Sequence, residues 1–168
     1  MGNPNDNELV EMKVKGLMLD PISDAPIVVL RDKSSHRFLP IWIGVPEANA
    51  IAMVLEDVTV PRPMTHDLYA NTLRALGASI ESIEVHDLVE NTFYARINLG
   101  GGGEILSIDS RPSDAIAIAL RTGAPIFVST KVLENAKANP LVDNLSEDEK
   151  IKEILKSLDE EDLGDYTM

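Results

Sequence analysis

Cysteine is missing from this 168-residue chain. Its absence rules out disulfide frameworks, Cys-ligated zinc, iron–sulfur clusters and thiol nucleophiles. Aromatic residues are scarce, at 4%, which argues against a stacking platform for single-stranded nucleic acid. No apolar run approaches the roughly 20 residues that span a bilayer. The leader MGNPNDNELVEMK has no apolar segment of the signal-peptide kind. A soluble cytoplasmic protein with no membrane contact is expected. Basic residues are also few: 15 Lys and Arg stand against 28 Asp and Glu, a net charge of −13. That balance argues against broad electrostatic binding to nucleic acid. It leaves room for an enzyme that meets phosphate through a metal ion and a few arginines.

What is present suits one α+β domain. Apolar residues make up 44% and charged residues 26%, near the globular average. Residues 1–9 read as a flexible polar leader. A strand is expected over 10–19, interrupted at Gly16, then a hairpin from Ile27–Leu30 and Phe38–Ile43. Pro46 opens a helix over 47–56, and the two prolines of 57–64 mark a connection or short strand. Thr65 is placed to cap a helix over 66–76, which Gly77 ends. Strands follow at 79–86, 92–99 and 104–109, a helix at 112–122, a strand at 126–129 and a helix near 131–138. Ser146 and Glu149 form a capping box before Ile151, Ile154, Leu155 and Leu158. An amphipathic helix is therefore expected in the acidic extension, 141–168, where residues 143–168 hold 10 acids and 3 lysines.

Shifted by 65 residues, the chain matches itself at Arg31/Arg96, Ile43/Ile108, Leu55/Leu120, Thr65/Thr130 and Leu68/Leu133. Ala50-Ile51-Ala52 likewise meets Ala115-Ile116-Ala117. The element order also repeats, so two duplicated βββα-type halves are expected, about 10–77 and 78–140. The two AIA helices are apolar nearly all round, which predicts burial on more than one face.

Two polar clusters stand out. Asp109-Ser110-Arg111-Pro112-Ser113-Asp114 lies where a strand gives way to a buried helix. Such a helix start gathers free N–H groups, and Arg111 adds a planar cationic fork suited to phosphate. Asp109 and Asp114, brought together by the turn, have the oxygen ligands that Mg²⁺ or Mn²⁺ requires. The equivalent place in the first half keeps an acid at Glu47. The bland alternative is that Asp114 caps and Arg111 pairs with Asp109. The second cluster is Pro61-Arg62-Pro63-Met64-Thr65-His66-Asp67. Its prolines stiffen the loop around Arg62, and an imidazole such as that of His66 serves as acid, base or metal ligand. The alternative is a simple helix cap with His66 on the surface.

Other residues have weaker contexts. His36 falls in a polar hairpin loop, and His86 echoes His66 only at an unrelated offset. Gly100–Gly103 lacks the GK[ST] of a phosphate loop. Tyr94 is expected in the core, and Trp42 is expected to anchor the interior or an interface.

The segments LPIWIG, EANAIA, PRPMTHDL, TFYARI and IDSRPSDAIAIAL, in this order, resemble the bifunctional nuclease domain family. The resemblance runs from about Val10 to Ala138. It implies a duplicated α+β fold and DNase and RNase activity, with nucleic acid as substrate. The family's motifs carry over Glu47, Arg62, His66, Asp67, Asp109, Arg111 and Asp114. Their chemistry suggests roles: a divalent metal on Asp109, Asp114 and Glu47, phosphate on Arg62 and Arg111, and proton transfer at His66 beside Asp67 and Asp109. The competing expectation is a non-catalytic module that senses an anion or docks a protein. Convergence of the two clusters within about 8 Å favours the nuclease, since catalytic groups must meet. A homodimer is expected to cover exposed sheet edges.

Overall fold

A computed structural model describes residues 8–35 and 37–137. His36, the helix expected in the acidic extension and most of the leader lie outside the described residues.

Two antiparallel meanders form most of one sheet. The first is β1 (Leu9–Leu19), β2 (Pro26–Asp32) and β3 (Phe38–Trp42). The second is β4 (Ser79–Val89), β5 (Thr92–Gly100) and β6 (Leu106–Ser110). A short strand, β7 (Ile126–Ser129), joins them, antiparallel to β1 and parallel to β4. The seven strands run β3-β2-β1-β7-β4-β5-β6. Gly16 does interrupt its strand, because the β1–β2 register shifts between Val14 and Gly16. The β4–β5 turn places Glu90 and Asn91 both at positive φ, the backbone that a tight hairpin needs.

Four helices accompany the sheet: α1 (Val45–Leu55), α2 (Thr65–Ala75), α3 (Pro112–Thr122) and α4 (Thr130–Lys137). Each meander is followed by a helix, and α1 packs on α3. Helix α3 is the centre of the core. Seven of its 11 residues are buried, including Ala115, Ala117 and Ala119, whose small side chains permit close approach. Pro112 starts it at N1 and Gly123 ends it at φ +72°. Met12, Val28, Leu30 and Ile41 from one meander meet Ile83, Val85, Ala95 and Ile97 from the other in this core.

Several expectations need correction. Helix α1 buries only Ala48 and Ile51, and Val45 and Leu55 are exposed. It packs against α3 and the β1–β2 side of the sheet, so its apolar sequence is not matched by burial all round. Thr65 is inside α2 and its N-cap is Met64, whose N–H donates to the Asp67 carboxylate. Tyr94 is 43% exposed, because β5 alternates and the core face takes Phe93 and Ala95. Trp42 does act as an anchor: it packs with Phe38 and Met18 over Ile27 and Val29.

Candidate active site at the helix starts

The starts of α1, α2 and α3 are joined by one run of side chains. His66, in the first turn of α2, places Nε2 2.9 Å from Asp114 Oδ1 in the first turn of α3. Arg111, the N-cap of α3, donates from Nε to Asp114 Oδ2 at 2.8 Å. The same guanidinium donates to Glu47 Oε1 of α1 at 2.7 Å. Glu47 and Asp114 each hold the third position of their helices, Val45–Leu55 and Pro112–Thr122. An acid there suits the positive end of the helix dipole.

The electrostatics follow from these contacts. Burial alone would raise the pKa of Asp114, but hydrogen bonds and charge from Arg111 and His66 outweigh it and hold the carboxyl below its usual range. Arg111 moves the other way: its hydrogen bonds to Asp114 and then Glu47 raise its pKa further. Both groups are thus fixed as ions. With Asp114 ionised, the hydrogen bond from Nε2 leaves Nδ1 of a neutral His66 ring as the nitrogen able to accept a proton.

Asp67 sits beside His66 but is engaged elsewhere. Its carboxylate accepts from the Met64 N–H and from Arg121 Nε at 2.6 Å. Burial opposes its ionisation, but the Met64 and Arg121 contacts lower its pKa. The Arg121 side chain is buried and also donates to the carbonyls of Ala117 and Ala50. It therefore ties α1, α2 and α3 together behind the cluster. This residue was absent from the sequence-based set. Its one signal is a lone arginine near the end of an otherwise apolar helix.

Two expected residues make no hydrogen bond or ion pair with the cluster among the described residues. Asp109 lies on β6 opposite Arg96 and is exposed. Among the described residues no hydrogen bond or ion pair joins it to Arg111 or Asp114. The expected Asp109–Arg111 pair is therefore not formed. Arg62 is exposed and has no hydrogen-bond or ion-pair partner among the described residues. Its guanidinium is available to an anion.

Among the described residues no group of three or more His, Asp or Glu side chains is arranged to hold a metal ion. Glu47 and Asp114 share Arg111 instead, which supplies the positive charge between them. The donor set in this arrangement does not fit a resident divalent metal. No helix among the described residues is long and apolar enough to cross a membrane.

A cleft of about 380 Å³ opens beside Arg111, lined by residues at the end of β3 and at the start of β5. The cluster therefore has a fixed anionic–cationic framework, an imidazole held by a carboxylate, and open space on the side of its most exposed arginine.

Comparison with known proteins agrees with the motif resemblance. The model of the bifunctional nuclease domain matches residues 28–140. An uncharacterized protein of Mycobacterium tuberculosis is 39% identical over 163 residues, covering 90% of this chain and 96% of its own. Bifunctional nuclease 1 of Oryza sativa subsp. japonica is 28% identical over 112 residues, 65% of this chain and 34% of the rice protein. Bifunctional nuclease 1 of Arabidopsis thaliana is 28% identical over 108 residues, 62% of this chain and 33% of its own. The chain thus matches only about a third of each plant protein. The family match covers Glu47, Arg62, His66, Arg111 and Asp114 together, and with it this chain belongs to the bifunctional nuclease domain family.

Proposed function

We propose that this chain hydrolyses phosphodiester bonds of DNA and RNA at the helix-start cluster. The observation that carries the reading is the direct contact of His66 with Asp114, which joins the two polar clusters well inside the distance that catalysis needs. Arg111 and Arg62 bind the phosphate. Arg111 is suited to this because its side chain is 65% exposed and NH1 makes no hydrogen bond among the described residues. His66 takes a proton from the attacking water through Nδ1 while Asp114 holds the ring. The water oxygen bonds to phosphorus, the P–O ester bond breaks, and the leaving oxygen takes a proton from solvent. The names of the plant relatives support this class of substrate. Arg111 already neutralises the two carboxylates that would otherwise hold a metal.

Duplicated halves are proposed on related grounds. The support is the repeated order of meander and helix.

The non-catalytic alternative draws on one observation: Glu47, Asp114, Arg111 and His66 satisfy one another inside the protein. It predicts anion binding without turnover. Hydrolysis of end-labelled single-stranded DNA and RNA by wild type and Arg111→Gln separates the two. The nuclease reading expects turnover that falls on the order of 100-fold in the variant. No turnover by wild type, or an unchanged rate in the variant, overturns it.

A further inference from the structure

Helix α3 opens on a buried hydroxyl without a partner among the described residues. Ser113 is only 7% exposed, and its side chain makes no hydrogen bond there. Native proteins pair almost all such groups, and one left over is expected to meet a water, an ion or a substrate. The hydroxyl does not stand alone. Ser113 and Asp114 are the second and third residues of α3, behind Pro112. Their N–H groups precede the first helical bond, from the Ala115 N–H to the Arg111 carbonyl. No side chain caps them, and among the described residues no carbonyl accepts from them.

Ser113 lines the cleft of about 380 Å³ together with Arg111 and Gly44, the N-caps of α3 and α1. Ile41, Ile43 and Phe93, all part of the main apolar core, line it as well. Such walls exclude water and strengthen a hydrogen bond to a charged ligand. Glu47 and Asp114 do not line the cleft. Their carboxylates are turned to Arg111 and His66.

We infer that Ser113 is a phosphate-binding residue: its hydroxyl and its N–H donate to the oxygens of a phosphoryl group that Arg111 holds in the cleft. The inference rests on the proposed reading of Arg111 as a phosphate ligand and adds the group that fixes where the phosphate sits. Ser113 brings two uncharged donors, and the helix start adds the positive end of its dipole. The charge balance makes such donors necessary. At a net −13 the protein cannot hold a polyanion by tracking its phosphates, so short-range hydrogen bonds have to supply the grip.

Ser113→Ala tests this, because it removes the hydroxyl and keeps nearly the same volume. Replacing an unpaired buried hydroxyl by an apolar group relieves its desolvation, so the variant is expected to melt at or above the wild-type temperature. A hydroxyl with a purely structural role would give the reverse. Binding of inorganic phosphate to the full chain is measured by titration calorimetry. Wild type is expected to bind saturably, and Ser113→Ala about tenfold more weakly. Ser110 does not line the cleft, and its hydroxyl already donates to the Arg111 carbonyl, so Ser110→Ala is expected to bind as wild type does. With the labelled oligonucleotide, Ser113→Ala is expected to lower kcat/KM about tenfold. Turnover by wild type that Ser113→Ala leaves unchanged overturns the inference and leaves the proposed function standing. Phosphate binding that Ser113→Ala weakens, without turnover by wild type, overturns the proposed function and leaves an anion-binding cleft. No saturable binding of phosphate, equal binding by Ser113→Ala and wild type, or a Ser113→Ala protein that melts well below wild type also overturns the inference.

Discussion

His66 and Asp114 are 48 residues apart in the chain, and their side chains meet at 2.9 Å. The contact joins the first turn of α2 to the first turn of α3, with Arg111 on the far oxygen of the same carboxylate. A loop cluster and a helix-start cluster thereby become one site.

Arg121 is the structural counterpart of that site. Replacing it with Met removes bonds to Asp67, Ala117 and Ala50 and leaves a part-buried carboxylate without its cation. Breaking such a pair costs about 3 kcal/mol. Urea unfolding of Arg121→Met should show that loss, while Asp67→Asn, which keeps the shape and removes the charge, should lose less.

Acid should weaken the fold in part through Asp32. This carboxylate, on the last residue of β2, is almost fully buried and accepts from the Ser34 N–H and hydroxyl, the Ser35 hydroxyl and Arg37. Burial opposes its ionisation, but these bonds hold its pKa well below the ordinary carboxylate value. A lowered folded-state pKa adds stability above the unfolded value of about 3.9, and that stability is lost as pH falls towards the folded value. Asp32→Ala should cost about 2 kcal/mol at pH 7. Unfolding curves of the two proteins should converge as pH drops below about 4.

The glycine loop between β5 and β6 contains one position that matters for backbone packing. Gly101 has φ +119°, and a Cβ there would lie 2.5 Å from the Gly77 carbonyl oxygen. Gly102 has nothing within 4 Å of its Cβ position. Gly101→Ala should destabilise on the order of 2 kcal/mol. Gly102→Ala should stay within about 0.5 kcal/mol of wild type in the same denaturation assay.

Much of the fold was legible from punctuation. Pro112 and Gly123 bracket α3, and its expected span, 112–122, is the observed one. Gly16 and Gly77 likewise act where their lack of a side chain suggests. The site was only partly legible. Asp109 and Asp114 look equivalent in sequence, but alternation along β6 sends Asp109 to the face of Arg96, while the helix turns Asp114 towards α2. No local pattern says that residues 66 and 114 will touch, because that depends on how α2 crosses α3. Arg121 was hidden for the same reason: its partners lie 54 and 71 positions away.

Metal addition tests the role given to Arg111. A resident site of micromolar affinity would gain about 4 kcal/mol of stability in millimolar cation. With Arg111 already between Glu47 and Asp114, millimolar Mg²⁺ or Mn²⁺ should leave the thermal midpoint unchanged. A rise of several degrees, abolished in Glu47→Gln, would show that a metal displaces the guanidinium.

Proton transfer at His66 is the centre of the account, and chemical rescue tests it most directly. His66→Gly, assayed on single-stranded DNA and RNA, should lose on the order of 100-fold or more in rate. Free imidazole should restore part of that loss in the variant and leave wild type unaffected. A variant as fast as wild type would contradict the account, as would a slow one that imidazole does not help.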